Sequence, residues 1–230
     1  IIKQIEDSRD ALDFFEKVSL PKEDEKTQDI IMNFPTVYIH NWRESGDFEV
    51  YVGESNDIFK RTRQHYDAAL DKSRWQSKLL EKDASLFIIG HEHFNKSLTL
   101  DIENRLMHYM MSVDRVKHVH NLRDDPQTSY YAMEELDDIF SKIWRGLRKE
   151  NKDLFPTESA IKDSAIYKAS PLHKLTKEQE KARDLIIQKV SKALENKETR
   201  QLIFIDGEAG TGKTVLNRST FNELERQAQA

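Results

Sequence analysis

Tyr51-Val52-Gly53-Glu54-Ser55-Asn56-Asp57-Ile58-Phe59-Lys60-Arg61-Thr62-Arg63-Gln64-His65 is the stretch that decides the fold. It opens as a strand and closes as a helix. Phe48, Val50 and Val52 alternate with Glu49 and Tyr51, the period of a half-buried strand. Gly53 is expected to break the strand and allow a tight turn. Ser55 or Asn56 then caps a helix, with Asp57 in its first turn. Arg61 and His65 are four apart and share a helical face. A strand thus brings a phenol beside a guanidinium and an imidazole. That set suits a phosphodiester, since arginine grips a phosphate and tyrosine or histidine handles protons.

Just upstream, Val37-Tyr38-Ile39 also reads as a strand, with Val37 and Ile39 on one side and Tyr38 and His40 on the other. Ser45-Gly46-Asp47 is turn-forming, so the two strands make a hairpin that puts both tyrosines opposite the aliphatic side chains. Leu86-Phe87-Ile88-Ile89 is a continuous apolar run and is expected to be a central strand. A helix is expected from Leu98 to Val113, burying Ile102, Leu106, Tyr109, Met110 and Val113, with Glu103 at the border of that stripe. Taken alone, such a carboxylate is more often a paired surface acid. Asp101, two residues earlier, faces nearly the other way.

These residues resemble the GIY-YIG endonucleases. Val37-Tyr38-Ile39 stands where the family has Gly-Ile-Tyr or a variant, here without the glycine, and Tyr51-Val52-Gly53 stands for Tyr-Ile-Gly. Arg61 follows Tyr51 by ten residues and His65 by fourteen, as in the family. The resemblance implies a small α/β (α+β) domain, a sheet flanked by helices, that hydrolyses DNA phosphodiesters with Mg²⁺ or Mn²⁺. It implies that Glu103 holds the metal, Arg61 binds the scissile phosphate, Tyr38 or His65 takes the proton from water, and Tyr51 orients phosphate or water. Gly53, Arg63 and Asn121 are expected to position the substrate, Arg63 through a salt-dependent contact on another helical face. One carboxylate with waters and a phosphate oxygen is a usual Mg²⁺ shell. The alternative is a DNA-gripping module that does not cut and recruits a helicase or translocase.

Composition narrows the partners. The net charge of −5 disfavours a non-specific nucleic-acid coat. Locally, residues 60 to 78 hold six basic side chains (Lys60, Arg61, Arg63, Lys72, Arg74, Lys78) against Asp67 and Asp71, which beside the site reads as DNA contact. There are no cysteines, so disulfides and thiolate metal sites are excluded. The His91/His93 and His118/His120 pairs match no zinc framework. No apolar run approaches a membrane span and no signal peptide opens the chain, which together suggest a cytoplasmic protein without membrane partners. The chain opens on Ile1 rather than Met, so it is expected to be part of a longer one.

Around the nuclease-like unit at 34–125, residues 1–33 read as a helix (Ile5, Leu12, Phe15, Val18) ended by Pro21, then a charged linker from Lys22 to Asp29, with no chemistry. Residues 126–170 read as a helical connector whose amphipathic part, 129–149, carries Met133, Leu136, Phe140, Ile143 and Leu147. Residues 171–230 hold a second motif. A helix from Leu175 to about Leu194 precedes an expected buried strand, Gln201 to Asp206, and then Gly207-Glu208-Ala209-Gly210-Thr211-Gly212-Lys213-Thr214. That is a Walker A pattern in strand-loop-helix context, in which Gly207, Gly210 and Gly212 let backbone N–H groups wrap phosphates, Lys213 reaches the β/γ oxygens and Thr214 serves Mg²⁺. The Leu175-Thr176 to Gln179 segment resembles the adenine-reading glutamine region of superfamily 1 helicases. The order of parts resembles Schlafen-like ATPase/helicase proteins with an N-terminal GIY-YIG domain. The resemblance implies ATP binding only in a longer protein, with the remainder of an ATPase domain, or a second copy of this chain, as partner.

Overall fold

The computed structural model describes residues 1–71, 74–81, 83–121, 135–168, 170, 175–196, 202–206 and 212–228. The chain divides into two compact units, Ile1–Ile161 and Lys162–Ala230. The first is mixed α/β, built on one five-stranded sheet of order β1-β4-β2-β3-β5. The strands are β1 (Ile2–Glu6), β2 (Thr36–Glu44), β3 (Asp47–Ser55), β4 (Ala84–Ile89) and β5 (Val116–Val119). All pairings are antiparallel except β3 with β5.

The hairpin forms for a local reason. Ser45 (φ 53°) and Gly46 (φ 92°) both lie in the left-handed region, the two-residue turn that matches strand twist. It sets the register in which Tyr38 opposes Gly53, His40 opposes Tyr51 and Trp42 opposes Glu49. On β4 the same three residues of β2 meet Ile88, Leu86 and Ala84. One sheet face therefore carries Tyr38, His40, Trp42, Tyr51, Leu86 and Ile88. It is covered by α1 (Arg9–Phe14), α3 (Ile58–Ala68), the single turn Trp75–Ser77 and α4 (Lys78–Glu81), through Leu12, Phe15, Ile58, Phe59, Tyr66 and Leu79. The other face, with Ile39 and Phe87, is covered by α5 (Lys96–Met111) and α6 (Leu136–Glu150). There Phe155 sits edge-on to both Phe87 and Trp144, and Tyr109 edge-on to Phe140. Each fully buried side chain of this size contributes on the order of 1.5–3 kcal/mol.

Several sequence expectations are corrected. Ile5 belongs to β1, not to a helix, because residues 2–6 pair with 85–89 and make the sheet edge. The stretch read as a charged linker is mostly helix α2 (Glu25–Asn33), capped by Asp24, with Ile30 and Ile31 buried. The N-cap of α3 is Asp57, whose side chain accepts from Lys60 N, while Ser55 Oγ accepts from Asp57 N. The connector contributes to the core: Leu154 and Phe155 are fully buried, and the Trp144 indole donates to Pro156 O. Met133 lies outside the described residues.

In the second unit, α9 (Lys177–Glu195) packs against α10 (Lys213–Ala228). α9 opens with a reciprocal cap between Thr176 and Gln179. The expected buried strand is not formed. Residues 202–206 have no strand assignment, and Leu202 and Phe204 are 78% and 85% exposed. Parallel strands need neighbours on both sides, and the described residues of this unit offer none. No helix among the described residues is long and apolar enough to cross a membrane.

Candidate functional site

Three of the expected site residues meet over Gly53. The Tyr38 phenol lies 3.0 Å from His65 Nε2, and Arg61 Nε donates to the Tyr38 oxygen at 3.3 Å. That oxygen accepts from Arg61 and can donate its own hydrogen to His65 when Nε2 is the bare nitrogen of the neutral ring. Tyr51 joins the group through interactions with both Tyr38 and Arg61. A strand and a helix suffice to build this. Tyr38 and Tyr51 leave one sheet face, and α3 crosses that face with Arg61 and His65 on one stripe.

Gly53 has a different role from the one expected. It lies inside β3 with no special backbone angle, and it is needed for space. A Cβ there would stand 2.4 Å from Tyr38 Cζ and 2.5 Å from its hydroxyl. The missing side chain is what lets the phenol lie on the strand.

The group is closed. Tyr38 is fully buried and His65 is 3% exposed. Trp75, which the sequence reading left out, stacks on Tyr51 at 4.2 Å and lies 5.2 Å from the His65 ring. Burial, followed by Tyr51, pushes the Tyr38 phenol well above the usual range, so it stays neutral. Burial, followed by His40 and Arg61, pushes His65 down to about 3. Both are therefore uncharged at neutral pH.

This has a stability consequence. The folded pKa of His65 lies below the unfolded value of about 6.5, so between the two the unfolded chain binds the extra proton. Stability from keeping His65 neutral is fully present above pH 6.5 and is lost as pH falls toward 3, with a slope of at most about 1.4 kcal/mol per pH unit. Urea denaturation from pH 8 to 3 should show a shallower acid slope for His65→Gln than for the parent. Equal slopes would mean His65 is not the neutral, buried group.

Two other expected residues stand elsewhere. Arg63 is tied to Asp13 at 2.6 Å and to Glu16, next to α1, so its guanidinium is engaged by carboxylates and faces away from the tyrosines. Asn121 pairs with the backbone of Val52, donating to its carbonyl at 2.5 Å and accepting from its N–H at 3.3 Å. It continues the edge of β3 beyond β5 and so holds Tyr51-Val52-Gly53 in place.

Part of the basic run is also paired with carboxylates. Arg74 pairs with Asp71 and Lys78 with Glu44, while Lys72 lies outside the described residues. Lys60 and Arg61 remain on an open cleft of about 390 Å³, lined also by Glu54, Asp57, Gln64 and Lys96.

Glu103 is buried, 5% exposed, and not at a helix edge as expected. Asp101 is buried too. α5 begins against β3, where Lys96 pairs with Glu54, and it runs back along that strand toward β5. A single hard oxygen donor of this kind fits Mg²⁺ or Mn²⁺ completed by water. Among the described residues no three His, Cys, Asp or Glu side chains cluster as a ready-made metal cage.

Of the P-loop, Gly207 and Gly210 lie outside the described residues. Gly212 is in the left-handed region (φ 82°), just before Lys213 and Thr214 at the start of α10. A Cβ there would stand 2.4 Å from Gln179 Nε2. The Gln179 carbonyl accepts from Thr176 N at 2.9 Å, so its side chain is part of the helix cap rather than turned outward for a base.

Comparison with known proteins adds no relative: no family model, no curated protein and no solved structure matches this chain.

Proposed function

We propose that the first unit is a divalent-metal-dependent endonuclease of the GIY-YIG type, acting on DNA. The observation that carries this reading is the Arg61–Tyr38–His65 chain of hydrogen bonds over Gly53, with Tyr51 beside it. Arg61 is the cation at this point, half-exposed on the open cleft, and it binds the scissile phosphate. Tyr38 is a neutral donor held at a set angle by Arg61 and His65. Tyr51, beside Tyr38 and Arg61, orients the phosphate or the attacking water. Glu103 holds the ion, which when bound offsets charge on the phosphoryl group. Asn121 acts by holding β3. In the second unit Lys213, Thr214 and the P-loop glycines are read as a phosphate cradle that needs further strands beside it before ATP can be turned over.

Supercoiled plasmid incubated with the chain and Mg²⁺ or Mn²⁺ should be nicked or linearised, and EDTA should stop it. No cutting with either ion, alongside tight binding of the same DNA, would replace this reading with a non-cleaving DNA-binding module. The closure of Tyr38 and His65 beneath Trp75 favours that second reading.

A further inference from the structure

His40 and Asp7 have no part in the site as described so far, yet they adjoin it. His40 stands two residues after Tyr38 on the same face of β2 and directly opposite Tyr51. Its ring is edge-on to His65 at 5.1 Å and to Tyr38 at 5.3 Å. Its Nδ1 is 2.5 Å from Asp7 Oδ2, and both side chains are fully buried. Asp7 Oδ1 accepts from the Tyr66 hydroxyl at 2.8 Å. A carboxylate only accepts, so Nδ1 carries the hydrogen and Nε2 is left as the acceptor on the other side of the ring. That buried Nε2 has no hydrogen-bond partner among the described residues. An orphaned polar atom in a core calls for an explanation, and a role in chemistry is one.

We infer that the Asp7–His40 pair is the proton acceptor of the site, with Asp7 holding the imidazole in the accepting tautomer and balancing the charge it gains. The inference rests on the hydrolytic reading above. As the water oxygen bonds to phosphorus, its O–H bond breaks and the proton ends on His40 Nε2. The bond from phosphorus to the leaving sugar oxygen breaks, and that oxygen takes a proton from solvent. Neutral Tyr38 and His65 then position and donate but do not store the proton. The groups facing His40 are Asp7 after β1, Tyr38 on β2, Tyr51 on β3, and His65 and Tyr66 on α3, with Arg61 behind Tyr38.

The test has two arms. In single-turnover cleavage with Mn²⁺ from pH 5 to 9, His40→Gln should lose roughly 10²-fold or more together with the acidic limb of the pH–rate profile. Asp7→Asn should follow it. Tyr66→Phe, which removes a hydrogen bond to Asp7 only, should keep the limb. In the second arm, imidazole ¹⁵N NMR of the parent, assigned with His40→Gln, should show His40 protonated on Nδ1 with a bare Nε2 above pH 7. A parent that cuts, with His40→Gln keeping both its rate and its acidic limb, overturns the inference while leaving the hydrolytic reading standing. If the parent does not cut, the hydrolytic reading fails and this role for His40 falls with it. The NMR arm then still decides the tautomer, and an Nε2–H form overturns the inference by itself.

Discussion

Glu103→Gln is expected to lower single-turnover DNA cleavage by roughly 10³-fold or more, the scale on which removal of a group acting only in the transition state is felt. The chain should stay folded. Glutamine has the same shape and leaves no cavity at this buried position on α5, whereas alanine would confound loss of the ion with loss of packing. Arg61→Ala and Tyr38→Phe should each cost roughly 10²-fold. Arg61→Ala removes the cation and its donation to Tyr38, while Tyr38→Phe leaves the ring on Gly53 and deletes only the hydroxyl shared by Arg61 and His65. Cutting at the parent rate by Glu103→Gln would end its assignment to the metal. A normal rate in Tyr38→Phe would mean that the hydrogen-bond chain is structural.

Gly53→Ala is expected to be strongly damaging for a single added methyl group. The new Cβ would meet Tyr38 Cζ at 2.4 Å, and that ring cannot retreat because it is fully buried on the sheet. Adding volume to a packed core typically costs about 1–3 kcal/mol, and here the contact is with a rigid ring rather than a flexible chain end. The midpoint of urea unfolding should fall accordingly. Cleavage should fall by more than stability explains, since the phenol is pushed away from His65 and Arg61. The double variant Gly53→Ala with Tyr38→Ala separates the two effects. If the clash is the cause, alanine at 53 adds almost no further loss once the ring is gone. Additive losses would place the cost of Gly53→Ala elsewhere.

The elements legible in the sequence are those whose signal is local. Alternation over 48–52 and 37–40 marks the hairpin, Ser45-Gly46 marks its turn, and the four-residue spacing of Arg61 and His65 puts them on one face of α3. Continuous apolarity marks β4, and a 3–4 repeat marks α5. A hairpin followed by a crossing helix then brings Tyr38, Arg61 and His65 together almost regardless of the rest, because strand pleat and helix pitch set where side chains point. Tertiary structure alone decided the pairings that join distant residues. Ile2–Glu6 becomes a strand only because β4 has a free edge to offer it. Asp7 becomes a partner of His40 only through that pairing, which ends one residue before it. Arg63 is engaged by Asp13 of α1 and by Glu16 just after it, and charge pairing across elements leaves no periodic trace in sequence. Gly53 reads as a turn residue until the ring lying on it is known. Conversely, residues 202–206 have the composition of a buried strand and form none, because a strand is completed by neighbours and not by its own side chains.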